Sequence, residues 1–276
     1  MRARPRFARR RRGRSGAWRQ HALGIALIVG AVAVVAGGSF LYFHVAAGRV
    51  ELDQETLCPV DGPQTVTVVL VDRTDPYTPV QQAAIQNALE LIRTSVPKYG
   101  ALELYAVGPT DQGVLELFAR ICNPGRGDEI NPLIGNPRRV EQRWREGFKA
   151  PLDALFARLL QPGEAATSPI LESIQSVALT SLAQAPDGPK RLVLISDMLQ
   201  HTEDVSHYRG ELDFAAFKAS QRWRRLRPDL DGVEVDILYA WRDTTRNVQG
   251  ESHVKFWRDA ITEAGGRLVR VEALAG

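Results

Sequence analysis

The chain has 276 residues, 44% of them hydrophobic and 24% charged, an ordinary balance for a globular protein with room for one good-sized domain and an appendage. Its net charge is +3, but residues 1–20 hold nine Arg and no acid; taking those nine from 35 Lys+Arg leaves 26 against 32 Asp+Glu. The basic excess therefore belongs to the tail, and it gives no ground for a folded nucleic-acid-binding domain.

After the tail comes "ALGIALIVGAVAVVAGGSFLYF", Ala22 to Phe43, 22 residues without a charge. At about 1.5 Å per residue this run crosses a hydrocarbon core of roughly 30 Å. The Arg run before it, and Glu51, Asp53 and Glu55 after it, orient it with the N-terminus in the cytoplasm and the main domain outside the cytoplasmic membrane. Trp18 and Tyr42 suit the two interfaces. "VAAG", Val45 to Gly48, resembles a cleavage site, but the apolar run exceeds the roughly 7–15 residues of a signal peptide's core. An uncleaved anchor is expected. The expected organisation is a basic cytoplasmic tail (1–21), a transmembrane helix (22–43), a linker (44–63) and an outward domain (64–276) with an insertion at about 123–165.

Within the domain, strands are expected at Gln64–Asp72, Ala101–Val107, Gly113–Cys122, Lys190–Asp197, Val233–Ala240 and Arg267–Val271. The helix after the first strand carries Ile85, Leu89, Ile92 and Val96 at helical spacing. Thr78 is its N-cap, with Pro79 first and Gln81 third. The second and third strands are joined only by Gly108 to Gln112, too few residues for a crossover helix, so they form an antiparallel hairpin. "NPGRGDEINPLIGNP" opens the insertion as a loop. A helical part follows from Arg138 to Leu160, with Val140, Trp144 and Phe148 at steps of four, and Pro151 is expected to kink or split it.

A further helix begins at Ser168-Pro169 and carries Leu171, Ile174, Ala178 and Leu182. Another covers Asp213–Arg227, before Pro228. The last runs from about Ser252 to Ala264 and stops at Gly265-Gly266. Strands alternating with helices predict an α/β, Rossmann-like, mainly parallel sheet with one antiparallel edge strand and helices on both faces.

Sites in such sheets form outside the carboxyl ends of the strands. The first strand ends in Asp72, Thr74 and Asp75, the fourth in Asp197, and Thr167 and Ser168 stand at the helix start between them. These small oxygen-bearing groups suit a hard divalent cation. The constellation resembles the metal ion-dependent adhesion site of von Willebrand factor A (vWA) domains, which has an Asp-x-Ser-x-Ser motif after the first strand, a Thr at a middle helix start and an Asp ending the fourth strand. Here Asp72-Arg73-Thr74-Asp75-Pro76 stands for the motif, Ser168 (less readily Thr167) for the threonine, and Asp197 for the last aspartate.

The resemblance spans roughly Gln64 to Val271. It implies a protein-interaction module with Mg²⁺, or Mn²⁺ or Ca²⁺, held by Asp72, Thr74, Asp75, Ser168 and Asp197. Pro76 replaces the second serine and cannot ligate, Asp75 is its possible substitute, and "ISDML" lacks the family's common Asp-Gly pair. Each residue also has a local reading: Asp72, Thr74 and Asp197 as turn residues that satisfy nearby N–H groups, Ser168 as an N-cap.

Two other functions fit the same features. A cation between Asp72 and Asp197 would suit a phosphoester hydrolase. The insertion around Trp144 and Phe148 would suit a structural component of an envelope secretion or transfer assembly. His201 and His207 are expected as solvated loop residues near the same edge. Arg126 to Asp128 is a chance Arg-Gly-Asp, and "RWRRLR", Arg222 to Arg227, complements a helix C-terminus. The cysteines, Cys58 and Cys122, lie in the outward part. A hairpin returning Cys122 to the lower edge lets them pair; the alternative is two separate buried thiols.

Overall fold

A run of branched apolar residues makes β1 (Val66–Asp72), which is buried along its whole length and lies at the centre of the sheet. The computed structural model describes residues 15–47, 50–110, 113–132, 135–161, 163, 165–183, 185 and 187–274, of which 15–20, 41, 45–47, 108–110 and 113–114 by backbone alone. The expected hairpin tip at Asp111 and Gln112 lies outside them.

The chain forms two units, Met1–Val50 and Glu51–Gly276. The first holds α1 (Ser15–Ala47). Its segment His21–His44, 24 residues, is long and apolar enough to cross a membrane.

The second unit is a six-stranded sheet in the order β3-β2-β1-β4-β5-β6, with β2 (Ala101–Thr110), β3 (Gly113–Cys122), β4 (Lys190–Ser196), β5 (Val233–Ala240) and β6 (Arg267–Leu274). The edge strand β3 runs antiparallel to β2; every other pair is parallel. The strand alternation divides the core. Val66, Val68 and Leu70 of β1 face one layer of helices, and Val69 and Val71 face the other.

The second layer is built on α2 (Pro79–Ser95), whose predicted capping box forms: the Thr78 Oγ1 accepts from Gln81 N, and the Gln81 Oε1 accepts from Thr78 N, both at 3.2 Å. Beside it lies the insertion, α3 (Pro137–Trp144) and α4 (Ala150–Leu159). Pro151 does not split this helix. A π turn, Arg145–Lys149, widens the backbone just before it, with Ala150 N donating to Arg145 O. The extra residue in the turn makes room for the proline ring and its missing N–H. Trp144, Phe148, Leu152 and Phe156 are buried in this core. They are therefore not the exposed contact surface expected of a structural insertion.

The first layer holds α5 (Ile170–Val177, continued by a π turn to Leu182), α6 (Phe214–Ala219), α7 (Gln221–Leu226) and α8 (Glu251–Glu263). The single helix expected over Asp213–Arg227 is two. At 3.6 residues per turn, Trp223 would point about 180° away from Phe214. A break at Ser220 (φ −77°, ψ 159°) turns both inward, so that their rings meet edge-on at 5.1 Å. The Ser220 Oγ then accepts from Trp223 N and caps α7.

Residues 51–63, read as linker, belong to the second unit. Leu52 bridges Pro59, the Asp53 carboxylate accepts from Thr56 N at 2.8 Å, and Cys58 is disulfide-bonded to Cys122.

Candidate functional site

The carboxyl ends of β1 and β4 lie side by side, with Val71 opposite Ile195. The chain leaves β1 for β2 on one side, while β4 packs on the other, so this is the topological switch point where open α/β sheets place their sites. The Tyr77 hydroxyl sits 2.7 Å from Asp72 O and 3.0 Å from Ile195 O, tying the two strand ends together. Burial, and the charges of Asp72 and Asp197, push the Tyr77 phenol well above its ordinary range, so it stays a neutral donor.

Asp72 ends β1 and is buried. Its Oδ1 accepts from the Thr74 hydroxyl (2.7 Å) and Thr74 N (3.0 Å). Its Oδ2 accepts from the Ser196 hydroxyl (2.8 Å) and the Ser168 hydroxyl (3.4 Å). Ser168 gets there as one partner of a two-bond bridge: its N donates to His201 O and its O accepts from His201 N. It is not an N-cap, since α5 starts after Pro169. Thr167 and Asp75 are exposed, and the Asp75 carboxylate does not join the cluster.

Asp197 lies one residue past β4, 2% exposed. Its Oδ1 accepts from Leu199 N at 2.9 Å, the local turn bond. Its Oδ2 accepts from the Arg242 Nε at 3.1 Å. Burial and the charge of Asp72 push the Asp197 carboxyl up to about 7, against the pull of Arg242. Arg242 follows β5. Its Nη1 donates to Pro76 O and its Nη2 to Asp75 O at 3.4 Å, and its guanidinium lies 5.3 Å from the Tyr77 ring centre. The loop that carries it is held by Gln249, which accepts from Arg242 N at 2.8 Å, and by Gln81, which donates to Trp241 O at 2.9 Å.

The turn after Asp197 is braced from below. Met198 has φ +60°, a conformation that costs a non-glycine residue about 1–2 kcal/mol. Its carbonyl accepts from Trp257 Nε1 (2.8 Å) and lies 3.0 Å from His253 Nε2. His253 Nδ1 meets the Tyr239 hydroxyl at 2.6 Å, and His207 Nδ1 lies 2.9 Å from His253 Nε2. His207 is thus no solvated loop residue: it is fully buried against His253, Phe256 and Trp257. His201 stays half-buried on the loop, its ring edge-on to Tyr208 at 5.3 Å.

Burial, together with the neighbouring His253, pushes His207 down to about 3; burial pushes His253 down to about 4. An unfolded chain protonates both below about 6.5, so the pair lowers stability as pH falls from there towards 4. Asp197 acts in the opposite sense, its raised carboxyl adding stability below about 7. The clean readout is therefore NMR. The ring signals of His207 and His253 are expected to stay flat between about pH 7.5 and 5. A midpoint near 6.5 for either ring would mean that it is solvated.

The arrangement does not fit a divalent cation. A carboxylate offers about four acceptor positions, and Asp72 accepts four hydrogen bonds, but three come from hydroxyls that can turn away, so the misfit lies at Asp197 and Asp75. Asp197 faces a guanidinium, and Asp75, the proposed substitute for Pro76, is turned out to solvent. Sequence reasoning brought Asp72, Thr74, Ser168 and Asp197 to one place and missed Ser196 and Arg242. Both stand at strand carboxyl ends, so applying the strand-end rule to every strand would have found them.

The remaining motifs have structural roles. Arg126 stacks over Trp144 at 4.6 Å, and Arg222 pairs with Glu211 at 3.1 Å.

No protein-family model and no curated protein matches the chain. Solved structures similar to it include the ArnB paralog VWA2 from Sulfolobus acidocaldarius, at 12% identity over 72% of this chain and 39% of that one (TM-score 0.37). A von Willebrand factor type A structure from Catenulispora acidiphila matches at 12% identity over 74% and 42% (TM-score 0.39). An aerotolerance-related membrane protein from Bacteroides fragilis matches at 10% identity over 77% and 92% (TM-score 0.36). The chain spans about two-fifths of the length of the first two.

Proposed function

We propose that the chain is a membrane-anchored interaction module. One helix, about His21–His44, holds it in the cytoplasmic membrane with the Arg-rich tail inside, and the vWA-like domain outside binds a protein partner on the carboxyl-end face of its sheet. The supporting observation is the pair of aromatic residues beside the buried Asp72–Asp197 cluster. Tyr208 is 48% and Trp241 37% exposed, on loops pinned by Gln81, Gln249 and the His201–Ser168 bridge. Rigid, exposed Trp and Tyr are the side chains that most often dominate binding energy at protein interfaces. A hydrolase reading draws no support here, because Asp197 is engaged by Arg242.

The test is site-specific photocrosslinking of the full chain in its own membrane. A crosslinker at Tyr208 and one at Trp241 are expected to trap the same protein. One at Leu91, equally apolar and 70% exposed on α2, is expected to trap none. Trp241→Ala should weaken capture from position 208 at least tenfold, the scale of a loss above about 1.4 kcal/mol. Equal capture from Leu91 would refute the face assignment. Protease added outside intact spheroplasts should digest the domain; protection would refute the orientation.

A further inference from the structure

We propose that Arg242 is the resident cation of the switch-point site, supplied by the chain itself, and that it takes the place of a divalent ion. Three oxygens converge on its guanidinium: one of the Asp197 carboxylate, and the carbonyls of Asp75 and Pro76. Carboxylate and carbonyl oxygens are also what a hard cation would seek. They come from the ends of β1 and β4, the two strands that frame the cluster, and Arg242 reaches them from β5.

Its side chain is only 16% exposed and the Tyr77 ring covers it, so it is a built part of the site and not a surface arm. Leaving a buried Asp197 unpaired next to Asp72 is costly; one guanidinium with a planar fork relieves that cost and bonds the carbonyls as well. Pro76 becomes part of the same solution. It brings no ligating side chain, but its carbonyl accepts from the Arg242 Nη1. The inference holds whether or not a partner docks on the face.

The experiment is thermal unfolding of the full chain in detergent, stripped with EDTA and then titrated with MgCl2, MnCl2 or CaCl2. The wild type is expected to show the same Tm throughout. Arg242→Ala should lower Tm in EDTA. It should also create an ion response, because Asp197 and the two carbonyls are freed and the hydroxyls of Thr74, Ser168 and Ser196 can rotate towards an ion. At an ion concentration about 100 times Kd the gain is about 5 °C or more. Asp197→Asn added to Arg242→Ala should abolish it.

Arg242→Lys keeps the charge and serves if the alanine variant fails to fold; its Tm should remain blind to every ion. A saturable, EDTA-reversible rise in the wild type or in Arg242→Lys would overturn the proposal. So would an Arg242→Ala protein that folds and whose Tm no ion moves.

Discussion

Asp72→Ala is expected to cost about 3–4 kcal/mol of folding stability, a large share of the roughly 5–15 kcal/mol that holds a domain together. The loss does not come from an absent ion. The Asp72 carboxylate collects the hydroxyls of Thr74, Ser168 and Ser196, with the N–H of Thr74, from three separate segments of chain. Alanine leaves all four donors buried without that acceptor, while Arg242 stays on Asp197. Were Asp72 kept only for a ligand, its removal from beside Asp197 would relieve like-charge repulsion and leave the fold as stable or more so. Urea unfolding of the full chain in detergent decides between the two. A loss under about 1 kcal/mol would mean that the hydroxyl network is not what holds the strand ends.

The Cys58→Ser, Cys122→Ser double variant is expected to lose a comparable amount, about 4 kcal/mol in the chain-entropy account for a separation of 64 residues. The closed loop contains β1, α2, β2 and β3, half of the sheet. Opening it returns that conformational freedom to the unfolded chain and frees residues 51–57, whose few hydrogen bonds are mostly local. Unfolding with and without reductant should reproduce the difference. An unchanged midpoint would show that the fold does not depend on the bridge.

Much of the architecture was legible in the sequence because local chemistry determined it. The branched run of β1, the Thr78–Gln81 capping box and the short connection between β2 and β3 each specify one local geometry. Misses arose where distant residues decide the outcome. The break at Ser220 depends on Phe214 and Trp223 needing the same core, a phase conflict that was present in the spacing but outweighed by the helix-like ends at Asp213 and Pro228.

Around the site the same division holds. Asp72 and Asp197 make turn bonds two residues ahead, as their local readings expected, and those bonds coexist with the long-range cluster. His207 was misplaced because its burial is set by His253, 46 residues away. Arg242 was invisible for a similar reason. A charged residue after a strand reads as solvent-facing until the Pro76 carbonyl, 166 residues earlier in the chain, is brought to meet it.

The disulfide also decides how a mechanical pull travels. Tension applied through α1 follows the chain to Cys58, where the covalent path forks. One branch is the single sulfur bridge to Cys122; the other is the long way through β1, α2, β2 and β3. The short branch carries the force, and the long one stays slack. The strand that ends in Asp72 is therefore off the covalent path of a pull through α1. With the bridge reduced, the same pull would run straight into the first residues of β1.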